Sequence, residues 1–273
     1  MKIKSLDTKF RELALEAKTL SCRTKLNYCV EKNAGDSFNK FFLKDYFGVC
    51  IGKKTILPSE HYLFCGSVLG RSDANSIVIG AGFISKEASI SRFKQIHGVR
   101  GQLTLQKIKG KISTQEVFLA DPGLLIKEIL PPRISSYTER GCVGIIPHFI
   151  DYKLANEMLR GEGSIKVIDI TRNYKDVGQD ILACDYIVSS SLHGLIFSDA
   201  LNVPNSWVQL SDNVVGGDFK FRDYYSTCDG EKKPIRCDTV SSVYAALELA
   251  FVSNAEQYEE MKKRVVAEFS KHA

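Results

Sequence analysis

Hydrophobic positions along this chain fall into short blocks of two kinds. Near the start, Leu6, Phe10, Leu13, Ala17 and Leu20 recur at helical spacing, predicting an amphipathic helix over residues 5–20. Its apolar stripe is expected to pack on its own domain; the lysine-rich face opposite would alternatively suit a membrane surface. Compact apolar runs at Leu26–Val30, Tyr62–Cys65, Ile77–Ile79 and Gln95–Val99 read as buried strands, with helical stretches starting near Asp36 and Gly101. A second set begins at Cys142: strand Val143–Ile146, helix Asp151–Arg160, strand Lys166–Ile170, helix Lys175–Cys184, strand Tyr186–Val188 and helix Leu192–Leu201. Asn202 and Pro204 stop the last helix. The tail from Thr239 to His272 reads as two helices, the second with Val265, Val266 and Phe269 inward.

Strands alternating with helices predict parallel sheets covered by helices. Two such sets of similar size predict an α/β protein of two Rossmann-like domains facing a cleft. The boundaries read as a helical extension at 1–25, a first domain at 26–130, a linker at 131–140 opened by Pro131-Pro132, a second domain at 141–238, and C-terminal helices at 239–273. A length of 273 residues suits about two domains.

Composition narrows the function classes only slightly. The net charge of +5 suits an anionic small molecule, an anionic membrane surface or nucleic acid alike. No segment approaches the roughly 18 consecutive apolar residues of a membrane span, and the charged N-terminus lacks the core of a secretory signal. The eight cysteines form no CxxC pair, so they read as free thiols in a reducing cytoplasm, not as a zinc site or disulfide framework. HExxH, Walker A and GxGxxG patterns are absent.

Chemistry-bearing residues gather where strands end, the place ligands bind in such sheets. Ser189-Ser190-Ser191 turns a strand into a helix whose first residues include His193 and Gly194, presenting hydroxyls and free N–H groups to an anion. Asn33 and Asp36 follow the first strand; Asp36 reads as a helix N-cap or as a general base. Arg100 follows Val99, and His148 follows Pro147. In residues 214–225, Lys220 and Arg222 alternate with Phe219, Phe221, Tyr224 and Tyr225, a mixture suited to single-stranded nucleic acid, an anionic small molecule or a sugar.

Taken in order, these segments resemble the polysaccharide pyruvyl transferase family from about Leu26 to Tyr225. The pieces are NAGDSFNKFF, GSVL, Ile79-Gly80-Ala81-Gly82-Phe83, VRGQLT, DPGLL, GIIPHFID, SSSLHGLIFSDALNVP and KFRDYYST. Ser191 stands where a family variant carries Arg, and the N-terminal helix is an addition. The resemblance implies a fold like GT-B glycosyltransferases and transfer of a pyruvyl group from phosphoenolpyruvate to two sugar hydroxyls of a bacterial surface glycan precursor, forming a cyclic ketal.

On that footing His193 is expected to act as general acid or phosphate ligand, a neighbouring anion helping it keep its proton. Lys220, Arg100 and Ser189–Ser191 would grip the donor, with Gly194, Asn33, His148 and Arg222 contributing to binding. Asp36, from the opposite domain, would deprotonate the acceptor. Phosphoenolpyruvate is the donor substrate, with no metal, no further cofactor and no nucleic acid expected. The acceptor is a glycan or lipid-linked oligosaccharide, handled in the cytoplasm or at the inner membrane face. Two rival readings are a glycosyltransferase using a nucleotide sugar and a non-catalytic protein that binds a glycan or anion.

Overall fold

The computed structural model describes residues 6–29, 33–90, 92–112, 117–132, 141–214, 216–230 and 232–272. From residue 133 onward, the linker read at 131–140 lies outside the described residues, as does Val30.

The chain begins with α1 (Leu6–Lys18), β1 (Thr24–Leu26), α2 (Ala34–Phe47), β2 (Ile51–Lys53), β3 (His61–Leu63), β4 (Ser76–Ile79), β5 (Gln95–Val99), α3 (Gln102–Ile108) and β6 (Phe118–Leu119). A 3-10 segment, Pro122–Glu128, leads on to β7 (Val143–Ile146), α4 (Tyr152–Met158), β8 (Ile165–Val167), α5 (Tyr174–Leu182) and β9 (Tyr186–Ser189). The remainder is α6 (Leu192–Ala200), β10 (Asn205–Gln209), α7 (Phe219–Tyr225), β11 (Ile235–Arg236), α8 (Val240–Leu247) and α9 (Tyr258–Phe269). The strands form two parallel sheets, ordered β2-β1-β3-β4-β5-β6 and β11-β10-β9-β7-β8. Strand β10 and helix α7 carry residues that the sequence pattern left as loop. Asn202 does end α6, in the left-handed region at φ 58°.

Each sheet has a buried cluster of its own, around Val78 and Val99 in the first and Ile145 and Val188 in the second, and a third, larger cluster is shared between them. Phe38 and Phe42 of α2 and Phe64 beyond β3 join Tyr174 of α5 and Phe197 of α6 in one buried cluster. Phe38 lies 5.3 Å from the Tyr174 ring and 5.7 Å from Phe197. Helix α9 returns to the first sheet, where Phe269 packs on Tyr62 and Phe64. Val265 and Phe269 are buried as the pattern predicted, and Val266 is half-buried.

Helix α1 reverses its predicted orientation. Phe10, Leu13 and Leu20 are exposed, and the buried positions are Glu12 and Glu16. Glu16 accepts backbone N–H bonds from Thr55 (2.7 Å), Ile56 (3.0 Å) and Leu57 (3.2 Å). Glu12 pairs with Lys53 and Arg71, both at 3.7 Å. Charge-assisted bonds to otherwise unpaired N–H groups hold this helix, not its apolar stripe. The Leu6 side chain lies outside the description.

The reading of all cysteines as free thiols is also corrected: Cys22 and Cys50 form a disulfide. Parallel pairing of Thr24 with Ile51 fixes the two residues just before adjacent strands, with Cα atoms 5.4 Å apart. Cys65, Cys142, Cys228 and Cys237 are free thiols, as read from the sequence.

Candidate active site

The site forms where β3, β7 and β9 end against the starts of α2 and α6. Asn33 caps α2, its side chain accepting from Gly35 N at 2.9 Å. The cap is thus Asn33, and Asp36 sits within the first turn, half-buried. Asn33 itself borders a separate cavity of about 360 Å³ with Lys40 and Arg172. Asn39, one turn on, exchanges two hydrogen bonds with the Cys65 backbone (2.8 and 3.0 Å) and fastens α2 to the end of the β3 segment.

His193 lies in the first turn of α6, buried to 7% exposure. Its ring rests on the backbone of Gly35, where a Cβ would fall 1.9 Å from Nδ1. Any side chain at Gly35 would therefore displace the imidazole. Asp36 Oδ1 and His193 Cε1 each lie 3.9 Å from the point a Gly66 Cβ would occupy, so both flank one spot from different elements. His193 Nε2 is 3.2 Å from Cys65 Sγ, and that thiol donates to Asp121 Oδ1 at 3.4 Å. Asp121 caps the 3-10 segment through Gly123 N (2.8 Å), and its Oδ2 is buried without a hydrogen-bond partner.

Cys65, Asp121 and His193 offer ligand atoms all within 4.8 Å of one another, a set whose types suit a soft divalent ion such as zinc. The hydrogen bonds among them equally make a proton-handling network. Sequence reasoning missed Cys65 and Asp121 as site residues. The Asp-Pro-Gly cap at a strand end was the available signal for Asp121.

Burial sets the charge states. It pushes the His193 pKa below its ordinary value, with Arg100 and Lys220 adding to the shift and Asp121 opposing it. Burial with these neighbours therefore favours neutral imidazole at His193. Lys220, on α7 and 8% exposed, is pushed down to about 8 by burial and by Arg100, while Asp36 opposes the shift. His148 is pushed down to about 4 by burial and by Lys220. Lys220, His148, His193 and Asp36 thus share one electrostatic neighbourhood.

Other expected ligands have different roles. Arg100 is fully buried, donating to Asp223 Oδ2 (2.9 Å), Ser67 Oγ (2.8 Å) and the Phe83 carbonyl (2.5 Å). Its guanidinium is held by protein partners, and Thr104 supplies two more bonds to Asp223. Arg222 is exposed and pairs with Asp218 one turn earlier, outside the cluster.

Ser189 Oγ lies within donating distance of the Ile146 (2.9 Å) and Ser191 (3.0 Å) carbonyls, bracing β7 against β9. Ser190 Oγ accepts from His148 N (2.9 Å), tying the two strand ends together. Ser191 is the α6 N-cap residue but makes no side-chain cap bond. Gly194 acts through packing: a Cβ there would fall 2.4 Å from Ser189 Oγ.

Two parallel sheets sharing a core, with titratable side chains gathered near the carboxyl ends of their strands, define an α/β protein with a polar site at the sheets' edges. The comparisons agree on the lineage. Residues 10–211 match the family polysaccharide pyruvyl transferase, and the chain belongs to that family. An uncharacterized protein of Acanthamoeba polyphaga mimivirus is 37% identical over 71% of this chain and 70% of its own length. The succinoglycan biosynthesis protein ExoV of Rhizobium meliloti is 26% identical over 75% of this chain. This chain spans 64% of ExoV. A functionally uncharacterized Klebsiella pneumoniae protein superposes with a TM-score of 0.40 and 11% identity, covering 82% of this chain and 94% of that one. That likeness is too weak to add to the assignment.

Proposed function

We propose that this protein transfers the pyruvyl group of phosphoenolpyruvate to two hydroxyls of a sugar in a surface-polysaccharide precursor, on a GT-B-like scaffold. The observation that supports the reading is that buried Lys220 on α7 is close enough for its charge to act on His148 and His193, which follow β7 and β9, and on Asp36 of α2. Phosphoenolpyruvate brings a carboxylate and a phosphate. Lys220, Ser190, Ser191 and the start of α6 answer those charges. Arg100 contributes its positive field from behind and holds Asp223, and with it helix α7, in place.

Neutral His193 would gain a proton as the donor's anions enter, since a nearby negative charge favours imidazolium. Protonation of the methylene carbon then leaves an oxocarbenium-like centre. The first sugar hydroxyl adds there as Asp36 takes its proton, phosphate departs, and the second hydroxyl closes the ketal. Of the two hydroxyl protons, one is balanced by the new methyl group and one leaves with phosphate. The scheme asks for no metal.

The acceptor on this reading is a glycan or a lipid-linked oligosaccharide. Among the described residues no helix is long and apolar enough to cross a membrane. The outward stripe of α1, with Phe10 73% exposed beside Lys9, suits peripheral contact with a membrane carrying such an acceptor.

The test is incubation with phosphoenolpyruvate and candidate glycans. It should give a mass gain of one pyruvyl ketal with stoichiometric phosphate. His193→Gln should reduce turnover about 10²–10⁴-fold with an intact fold. Near-normal turnover would remove His193 from the chemistry, and stabilisation by nucleotide sugars alone would favour glycosyl transfer.

A further inference from the structure

Beside the cation cluster lies a cavity of about 400 Å³ that the donor chemistry does not use. It opens at the carboxyl ends of β9 and β10, the ligand-binding edge of a parallel sheet. Its size falls within the range of small-molecule sites, roughly 300–1,000 Å³. Ser190 and Phe221 are in its wall, and both touch the donor side. Ser190 Oγ holds the His148 backbone, and Lys220 Nζ lies 5.3 Å from the Phe221 ring.

The lining is chemically opposite to the cluster next to it. Trp207 and Phe221 stack 4.6 Å apart with planes 14° from parallel, giving a rigid aromatic wall. Gln209, Ser211, Asp212 and Asp218 supply the polar groups. Among the described residues that line the cavity, none is Lys, Arg or His. Arginines steady the two carboxylates: Arg236 bonds Asp212 Oδ1 at 3.1 Å, and Arg222 bonds Asp218 Oδ2 at 2.5 Å. Gln209 also donates to Asp212 Oδ1, at 2.8 Å.

Among the described residues the lining supplies no cation for a phosphate or a nucleotide diphosphate, and its two carboxylates are already paired. Oriented acceptors, an amide, a hydroxyl and an aromatic wall suit a molecule rich in hydroxyls and free of charge. We infer that this cavity receives an uncharged saccharide unit of the acceptor, while the anionic donor occupies the cationic side beyond Ser190. The inference deepens the pyruvyl-transfer reading by giving the acceptor a binding surface on the second sheet.

Trp207 is the only tryptophan in the chain, so fluorescence excited selectively in tryptophan reports on this wall alone. The full-length protein is titrated with methyl β-D-glucoside, methyl β-D-galactoside, methyl β-D-mannoside, lactose and cellobiose, with and without saturating phosphoenolpyruvate. Phosphoenolpyruvate binding is followed separately by calorimetry. At least one sugar should change Trp207 fluorescence saturably, and the change should survive saturation with the donor. Gln209→Ala or Asp212→Ala should weaken that sugar about tenfold, the loss of one good hydrogen bond.

The inference is overturned if no sugar produces a saturable change, if phosphoenolpyruvate displaces the sugar, or if neither variant weakens it. Sugar binding without any phosphoenolpyruvate binding would uphold the saccharide cavity and defeat the proposed reaction. The reverse result would defeat the cavity assignment alone.

Discussion

Lys220 is held where water barely reaches, and the fold and the proposed anionic donor would pull on its charge in opposite directions. Its folded pKa of about 8 lies below the ordinary 10.5, so the unfolded chain binds more protons between those values. The cost to the fold is therefore full below pH 8 and fades as pH rises toward 10.5. A shift of that size corresponds to about 3 kcal/mol as an upper figure. Lys220→Met should accordingly raise the melting temperature at pH 7, with the gain shrinking above pH 8, and should abolish donor binding. Thermal scans across pH, paired with a binding assay, check both halves. An unchanged or lowered melting temperature would mean that the charge is well compensated in the folded protein. His193 follows the same physics, but its burial was not legible from its neighbours in sequence. Contact with Gly35, Cys65 and Asp121 joins segments far apart in the chain, and no local pattern announces that meeting.

Among the elements, the parallel strands were the most readable because their apolar runs are continuous. Gln95–Val99 and Val143–Ile146 have the predicted bounds. Short strands β2, β6 and β11 were missed, having only two or three residues each. Helix α1 shows a deeper limit of pattern reading. Its period was right and its buried side was wrong, because carboxylates with tertiary N–H partners outweighed the stripe. The Glu16 carboxyl is held below its ordinary value although burial pushes it up, since three backbone bonds and Lys54 more than offset that push. Its contribution is present above the ordinary value of 4.5 and is lost as pH falls through the depressed one. Replacing Phe10 and Leu13 with serine should leave the urea midpoint unchanged, whereas Glu16→Ala should lower stability by about 1–3 kcal/mol. The opposite ranking would restore the inward stripe. The serine pair should also weaken sedimentation with anionic vesicles if α1 rests on a membrane.

The molecule as a whole is two sheets around a shared core, with the buried Arg100–Asp223 pair joining the end of β5 to α7. The VRG and KFRDYY segments were visible in the sequence as separate basic motifs. Their union was not, since it pairs residues 123 positions apart. The pair gives Arg100 a way to act on α7 and Lys220 through Asp223. Arg100→Met would leave Asp223 buried with its charge partner gone and should cost about 3–5 kcal/mol. Urea unfolding would show this; a full-strength fold with weakened donor affinity would instead make Arg100 a direct ligand.

Calorimetric titration of the wild-type protein with phosphoenolpyruvate should show saturable one-to-one binding at pH 7. Affinity should fall as pH rises through about 8, where Lys220 loses its proton, and binding should vanish in Lys220→Met. Absence of phosphoenolpyruvate binding at pH 7, or affinity indifferent to Lys220 and to pH across that range, would contradict the assignment of this site to the donor.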